Sequence, residues 1–234
     1  MDVNFTKKNA YEMFNQIAKT YDRLNTLLSL GFHYYWRKAP LSWIEKEQNI
    51  QYLDLATGTG DQLIAVMDKM PKIEKAIGLD PAKNMLQIAK NKISNKPYKE
   101  KVQFVCGYAD SIPYENDYFD LTTLTFGLRN FHQLEKGLQE LYRVTKQTGQ
   151  VHIIEFNTPK KILLPFYTFY LKIMVPIVGK LFSKHEFAYK YLQESIESFE
   201  TSDQTLKKLI DCGFRSVFNE KIWFGLINHF IAIK

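Results

Sequence analysis

The stretch Leu53-Asp54-Leu55-Ala56-Thr57-Gly58-Thr59-Gly60-Asp61 constrains this chain more than any other. An apolar run from Ile50 to Leu55 enters a turn with glycines at 58 and 60, and residues at helical spacing resume at Asp61. Glycine adopts backbone conformations that a Cβ disfavours, and it lets a ligand approach the main chain closely. The helix start beyond it carries N–H groups with no intrahelical partner, which suit polar ligand atoms. About twenty positions on, a second apolar run ends in Gly78-Leu79-Asp80. That puts a carboxylate at a strand tip, where it can accept hydrogen bonds from a ribose diol. The pattern predicts a site for an adenosine-bearing cofactor.

Which cofactor depends on two residues. A dinucleotide fingerprint needs a third glycine for close packing under a pyrophosphate, and Leu63 stands in its place. Asp54 precedes the turn, and an acid there suits a cationic tail better than phosphates. S-adenosylmethionine, with a sulfonium and an ammonium, fits. A nicotinamide or flavin cofactor, and a strand–turn–helix with no ligand, are the alternatives this segment leaves open.

With 234 residues the chain is long enough to bury a full core, most simply as one domain over 1–234. A charged fraction of 24% and a hydrophobic fraction of 45% belong to the soluble globular class. The stretch Met1 to Lys8 lacks an apolar core, so a cytoplasmic location is expected. Cys106 and Cys212 are far apart and have no metal-ligand spacing, which reads as two free thiols and no metal site. The net charge of +6 comes from lysines scattered among acids, as in Lys99-Glu100-Lys101. Such scatter gives no nucleic-acid face, and a weak attraction to anionic membranes accounts for it as well.

Tyr11, Phe14, Ile17, Tyr21, Leu24, Leu27 and Leu28 recur at three and four, which predicts an amphipathic helix ahead of the first strand. A second helical piece is expected after Trp36, completing an N-terminal cap over 7–48. Strands at 50–55, 75–79, 102–106, 119–125 and 150–156 then alternate with helices from 61, over 81–93 and over 134–145, Gly149 breaking the last helix from its strand. Such alternation predicts an α/β fold with a mostly parallel sheet. A helix over 203–212 and strands at 214–222 and 226–233, too close for a crossover, add an antiparallel hairpin. An apolar insertion spans 158–200. Its residues 162–182 approach the length of a membrane span, yet Pro165, Pro176 and Lys172 interrupt them. A buried helix pair or a lid over a greasy site that touches the bilayer are the other readings, and Lys160, Lys161, Lys180 and Lys184 suit the lid.

Three further stretches narrow the function. They are Phe14-Asn15-Gln16-Ile17-Ala18-Lys19-Thr20-Tyr21-Asp22 leading to Gly31-Phe32-His33-Tyr34-Tyr35-Trp36-Arg37, then Thr125-Phe126-Gly127-Leu128-Arg129-Asn130, then Tyr189-Lys190-Tyr191-Leu192-Gln193-Glu194-Ser195-Ile196. With the glycine turn, they make the chain resemble the quinone-ring C-methyltransferases of menaquinone and ubiquinone biosynthesis, from about Tyr11 to the C-terminus. The resemblance implies a class I S-adenosylmethionine-dependent methyltransferase: Rossmann-like, with N-terminal helices and a helical lid. It implies C-methylation of a polyprenylated quinol in menaquinone or ubiquinone biosynthesis, demethylmenaquinol to menaquinol in the first case. Naphthoquinol and benzoquinol acceptors are both left open, and methylation of another lipid-soluble small molecule is the alternative.

The resemblance also implies residue roles. Thr59 and Asp80 fall where the family meets the cofactor, with Asp54, Gly58 and Gly60 around them. Tyr108 and Ala109 occupy the place of an adenine-contacting Asn-Ala pair, so Tyr108 departs from the pattern and Asp110 beside it is a candidate for the adenine amino group. Thr125 stands where many relatives carry Ser. A ring carbon is a poor nucleophile until the adjacent hydroxyl, whose ordinary pKa is near 10, gives up its proton. A guanidinium is a poor base, so Arg129 is expected to stabilise the developing charge or orient a water. His132 is the alternative base, against the plainer reading of an exposed helix-start residue. His33, Tyr189 and Tyr191 are substrate-wall candidates whose plainer role is packing, and Arg143 is expected to pair with an acid on its own helix.

Overall fold

The computed structural model describes residues 6, 7, 9–44, 49–157 and 186–234. Helices α1 (Ala10–Leu28) and α2 (Phe32–Trp36) come first, with a 3-10 turn over Ala39–Ser42. Then follow β1 (Ile50–Leu55), α3 (Asp61–Met67), β2 (Ile73–Asp80), α4 (Lys83–Ile93), β3 (Val102–Cys106), β4 (Phe119–Thr125), α5 (Leu134–Val144) and β5 (Thr145–Phe156). The chain closes with α6 (Glu186–Glu197), α7 (Ser202–Asp211), β6 (Ser216–Ile222) and β7 (Ile227–Ile233). The insertion's residues 158–185, with the apolar run 162–182, lie outside the described residues.

The seven strands lie in the order β3-β2-β1-β4-β5-β7-β6. The first five are parallel, and β7 enters antiparallel between β5 and β6. Leu53 and Leu55 of β1 pack with Ile77, Leu79, Leu138, Leu141 and Phe230 on one face. Ile50 and Tyr52 pack with Leu63, Val66 and Met70 on the other. Burial on both faces is what a parallel sheet covered by helices requires. Running β1-β2-β3 outward and returning to place β4 against β1 creates a reversal of strand order there. In such sheets ligands bind beyond the strand carboxyl ends at that reversal.

Two expectations are corrected. The helix expected after Trp36 lies before it, because Gly31 takes a left-handed turn (φ 79°) that starts α2 at Phe32, and only a 3-10 turn follows. Gly149 does not separate helix from strand. Strand β5 runs on from Thr145 and absorbs the break as a register irregularity against β4, with Thr148 at φ 67°.

Helix α1 also departs from a plain core-facing helix. Met13, Ile17 and Leu24 are buried, but Tyr11, Phe14 and Tyr21 are only partly covered and face a cavity. Its position over the sheet is fixed by Asn15, whose side-chain oxygen accepts from the Asn84 amide at 2.8 Å, and by Asp22, which takes the Thr59 hydroxyl at 2.6 Å and Lys92 at 2.6 Å. No helix among the described residues is long and apolar enough to cross a membrane.

Candidate active site

At the strand-order reversal the ends of β1, β2 and β4 surround a cavity of about 120 Å³. Leu55 and Ala56 leave β1, Leu79 and Asp80 end β2, and Thr125 and Phe126 leave β4 to form its floor. Ala109 and Asp110 form a side wall, with Tyr108 half-exposed and meeting Tyr11 edge-on at 5.8 Å between ring centroids. The strand ends approach so closely that a Cβ on Gly127 would lie 2.6 Å from that of Ala56. Gly58, at φ 55°, faces open space in the cavity wall, whereas a Cβ on Gly60, at φ 83°, would press on Ala89 at 3.0 Å.

The glycine turn is braced from beneath. Asp54 is buried and accepts the hydroxyls of Thr57 at 2.6 Å and Thr123 at 2.7 Å. Since the Thr123 hydrogen goes to Asp54, the Tyr52 hydroxyl, 2.6 Å from Thr123, donates into the same chain. Burial pushes the Asp54 carboxyl up to about 6 against the pull of these donors. Asp80 accepts the Gly58 amide at 2.9 Å and the Ala82 amide at 2.8 Å, and burial likewise raises it to about 6. Each carboxylate oxygen still has capacity for a second donor.

A second cavity, of about 400 Å³, lies beside the first. Phe14, Tyr21 and Phe126 line both. Its wall is mostly apolar: Met13, Leu24, Leu28, Trp36, Phe156, Leu192, with Trp223 at the rim. Two buried cations are built into it, Arg37 and Arg129. Arg129 is 5% exposed and its Nη1 lies 2.8 Å from Glu155 and donates to the Phe126 carbonyl at 2.6 Å. Its Nε donates to Ser195 at 3.3 Å, and the guanidinium stacks 5.3 Å from the Phe156 ring centroid. Glu155 is fully buried, at the end of an apolar strand, so each charge is compensated by the other. Tyr191 donates to Asn130 at 3.1 Å, and burial raises its hydroxyl against the influence of Arg129.

The residues expected from sequence therefore divide. Gly58, Asp80, Tyr108, Ala109, Asp110, Thr125 and His132 line the smaller cavity. His33, Arg129 and Tyr191 line the larger one. Asp54, Thr59 and Gly60 are not on either wall: Asp54 points into the sheet, Thr59 is taken by Asp22, and Gly60 packs on α4. Thr125 is held by Gln62, its hydroxyl donating to the amide oxygen at 3.0 Å. His132 is exposed on the smaller cavity's rim, apart from Arg129. The Tyr189 side chain lies outside the described residues. Arg143 pairs with Glu140 at 2.6 Å as expected.

Sequence reasoning missed Glu155, Gln62, Ser195 and the cavity-lining role of Tyr11, Phe14 and Tyr21. Glu155 had a signal. An acid between Ile154 and Phe156 on a buried strand needs a cationic partner, and Arg129 leaves the neighbouring strand.

A profile of the ubiE/COQ5 methyltransferase family matches residues 2–234. A demethylmenaquinone methyltransferase of Bacteroides fragilis is 35% identical over 224 residues, covering 95% of this chain and 91% of the relative. One from Thermotoga maritima is 38% identical over 229 residues, covering 97% and 96%. A solved S-adenosylmethionine-dependent methyltransferase of Thermotoga maritima shares the Rossmann-like fold, with a TM-score of 0.65 at 15% identity over 96% of this chain and 99% of that one. With that match and relatives of that similarity along most of its length, the chain belongs to the ubiE/COQ5 methyltransferase family.

Proposed function

We propose that this chain transfers a methyl group from S-adenosylmethionine to a ring carbon of a polyprenylated hydroquinone, converting demethylmenaquinol to menaquinol. The observation that carries it is the pair of cavities sharing Phe14, Tyr21 and Phe126, one edged by carboxylates and the other mostly apolar with two buried arginines, Arg37 and Arg129, in its wall. The names of the relatives support the same acceptor.

The smaller cavity fits this cofactor by its donor set. Asp80 keeps acceptor capacity for two ribose hydroxyls, and Asp110 stands where an adenine amino group would be read. Leu79, Met85 and Ala109 suit a flat ring, and the acids suit a cation better than a pyrophosphate. Gly58 leaves the space a Cβ would take. Asp54, Thr59 and Gly60 act one step back, by holding the turn.

When bound, S-adenosylmethionine supplies an electrophilic methyl group. The chain's own part is to bring the acceptor ring to it, exclude water and manage charge on the ring oxygen. Positioning contributes much of the rate gain in such a transfer. The apolar wall holds the ring and the first part of its tail. Arg129 cannot swing, because Glu155, Ser195 and the Phe126 carbonyl fix it, so its guanidinium is preset to stabilise negative charge developing on oxygen. Such fixed donors need no reorganisation as the reaction proceeds.

A tailed quinol lives in the bilayer, so peripheral membrane contact is part of the proposal. The lysine-flanked run 162–182 supports it. So do Leu30 and Phe224, 80% and 81% exposed on the larger cavity's wall. Nucleic acid has no part in it.

The test is incubation of purified protein with S-adenosylmethionine and a short-tailed demethylmenaquinol under reducing conditions, read by mass spectrometry. A product one methyl heavier, with the mark on ring carbon, is expected. Methylation on oxygen, or stabilisation by NAD and not by S-adenosylhomocysteine, would remove the reading.

A further inference from the structure

Among the described residues, three buried polar atoms on one short segment have no hydrogen-bond partner: His33 Nε2, Trp36 Nε1 and Arg37 Nε. All three residues line the larger cavity, and His33 is 3% exposed. A buried polar atom left unpaired costs about 1–3 kcal/mol, so such atoms are uncommon and call for a ligand or a reason. Here one residue offers an acceptor or donor and two offer donors.

The His33 tautomer follows from its neighbours. The Ser29 hydroxyl lies 2.6 Å from the Asn25 carbonyl and 2.6 Å from His33 Nδ1. A hydroxyl has one hydrogen, and a carbonyl can only accept. Ser29 therefore donates to Asn25 and accepts from His33, so Nδ1 carries the hydrogen. That leaves Nε2 buried with a free lone pair, on a residue that lines the same mostly apolar cavity as Arg129.

We propose that His33 is the general base of the methyl transfer, taking the acceptor's hydroxyl proton on Nε2 as the ring carbon is methylated. This rests on the quinol reading above and adds a proton acceptor to it. The oxygen–hydrogen bond breaks and its electron pair moves in to form the ring's carbonyl. A ring π pair forms the new bond from the adjacent carbon to the methyl group, and the methyl–sulfur bond breaks with its pair left on sulfur. The ring carbon then loses its own hydrogen as a proton to water, aromaticity returns, and the oxygen recovers its proton from Nε2. One proton is released per turnover, and no oxidant or reductant is needed.

The surroundings favour a neutral imidazole. Burial and Arg37 hold His33 down to about 4, Lys92 adds to this, and Asp61 and Asp22 oppose it. So weak a base could not generate a free phenolate from a hydroxyl near 10. It does suit a concerted transfer. The hydroxyl becomes strongly acidic once the ring has gained a methyl cation, so the imidazole lies between the starting and final acidities, where a general base is effective. His132, exposed on the rim of the other cavity, has no comparable setting.

His33→Gln should lower turnover on a short-tailed demethylmenaquinol about 10²- to 10⁴-fold at pH 7, the usual range for losing a general base. Affinity for S-adenosylhomocysteine and melting temperature should stay within about twofold and a few degrees of the parent. The parent rate should be flat from pH 6 to 8, while the variant's climbs towards pH 10 as the hydroxyl ionises by itself. Nitrogen NMR of the free protein should show an unprotonated Nε2, and adding 1-naphthol as a tail-less probe should shift that resonance. Near-parental turnover in the variant with an unmoved Nε2 would overturn the proposal and leave the quinol reading standing. A parent that methylates no hydroquinone, while naphthol still shifts Nε2, would remove that reading and keep His33 as the cavity's hydroxyl acceptor. Parallel pH profiles in parent and variant would reduce His33 to packing.

Discussion

The two cavities that meet at Phe14, Tyr21 and Phe126 are built by different means. The smaller is made by main chain: strand ends, a glycine turn, and carboxylates that hold backbone amides. The larger is made by side chains from α1, α2, α6 and the β6–β7 connection, with the Arg129–Glu155 pair and the buried His33 and Arg37 for its polarity. A site formed by sheet backbone is set once the strands pair. A site formed between helices depends on how well the helices pack, so substitutions should separate the two.

The largest separation is expected from Glu155→Ala. It strands the Arg129 charge in the larger cavity's wall and should cost about 3–5 kcal/mol of stability, the range for breaking a buried pair. Urea unfolding measures it; a loss below about 1 kcal/mol would mean that Arg129 reaches water. Asp80→Ala acts on the other cavity. It removes two charge-assisted acceptors, and S-adenosylhomocysteine affinity by calorimetry should drop on the order of 10- to 100-fold while 1-naphthol binding is unchanged. Equal losses for both ligands would show that the cavities are coupled.

Acidity gives a smaller contrast. Burial raises the Asp80 carboxyl from 3.8 to about 6, so it is ionised in the free protein only above that pH. If the ribose prefers the ionised form, affinity is complete above about pH 6 and falls up to tenfold per unit below it, as one unit is about 1.4 kcal/mol. Titrations at pH 7.5 and 5 should show the drop, and naphthol binding should not follow it. The smallest effect is expected at the roof. Tyr108→Ala removes the edge-on contact with Tyr11, about 0.5–1.5 kcal/mol, and should weaken the cofactor analogue no more than roughly tenfold.

This contrast also marks what the sequence could tell. Strand β1, the glycine turn and Asp80 were legible because hydrophobic runs, glycines and a strand-end acid are local signals. Direction was not: whether Asp54 faces ligand or sheet depends on the strand's register against β4, where Thr123 waits for it. The hold on the Thr59 hydroxyl was hidden for a related reason, since its partner Asp22 is 37 positions earlier on α1. The apolar stripe of α1 correctly indicated a helix but not that its aromatic half lines cavities. The Arg129–Glu155 pair joins residues 26 positions apart, and only the parallel pairing of β4 with β5 brings them together.

The place of β7 has a consequence for how the chain comes together in time. Strand β5 carries Glu155 and sits mid-sheet, yet its outer neighbour is β7, and His152 meets His229 across 77 positions. During synthesis β5 emerges with a bare hydrogen-bonding edge and waits for the insertion, α6, α7 and β6 to follow. An unpaired apolar edge is what other chains capture. The half of the sheet holding the smaller cavity can pair early, through β1 to β4, whereas the wall with Glu155 is complete only when β7 slides between β5 and β6. Aggregation during expression should therefore respond more to changes in β5 and β7 than to changes of similar burial in β1 or β2.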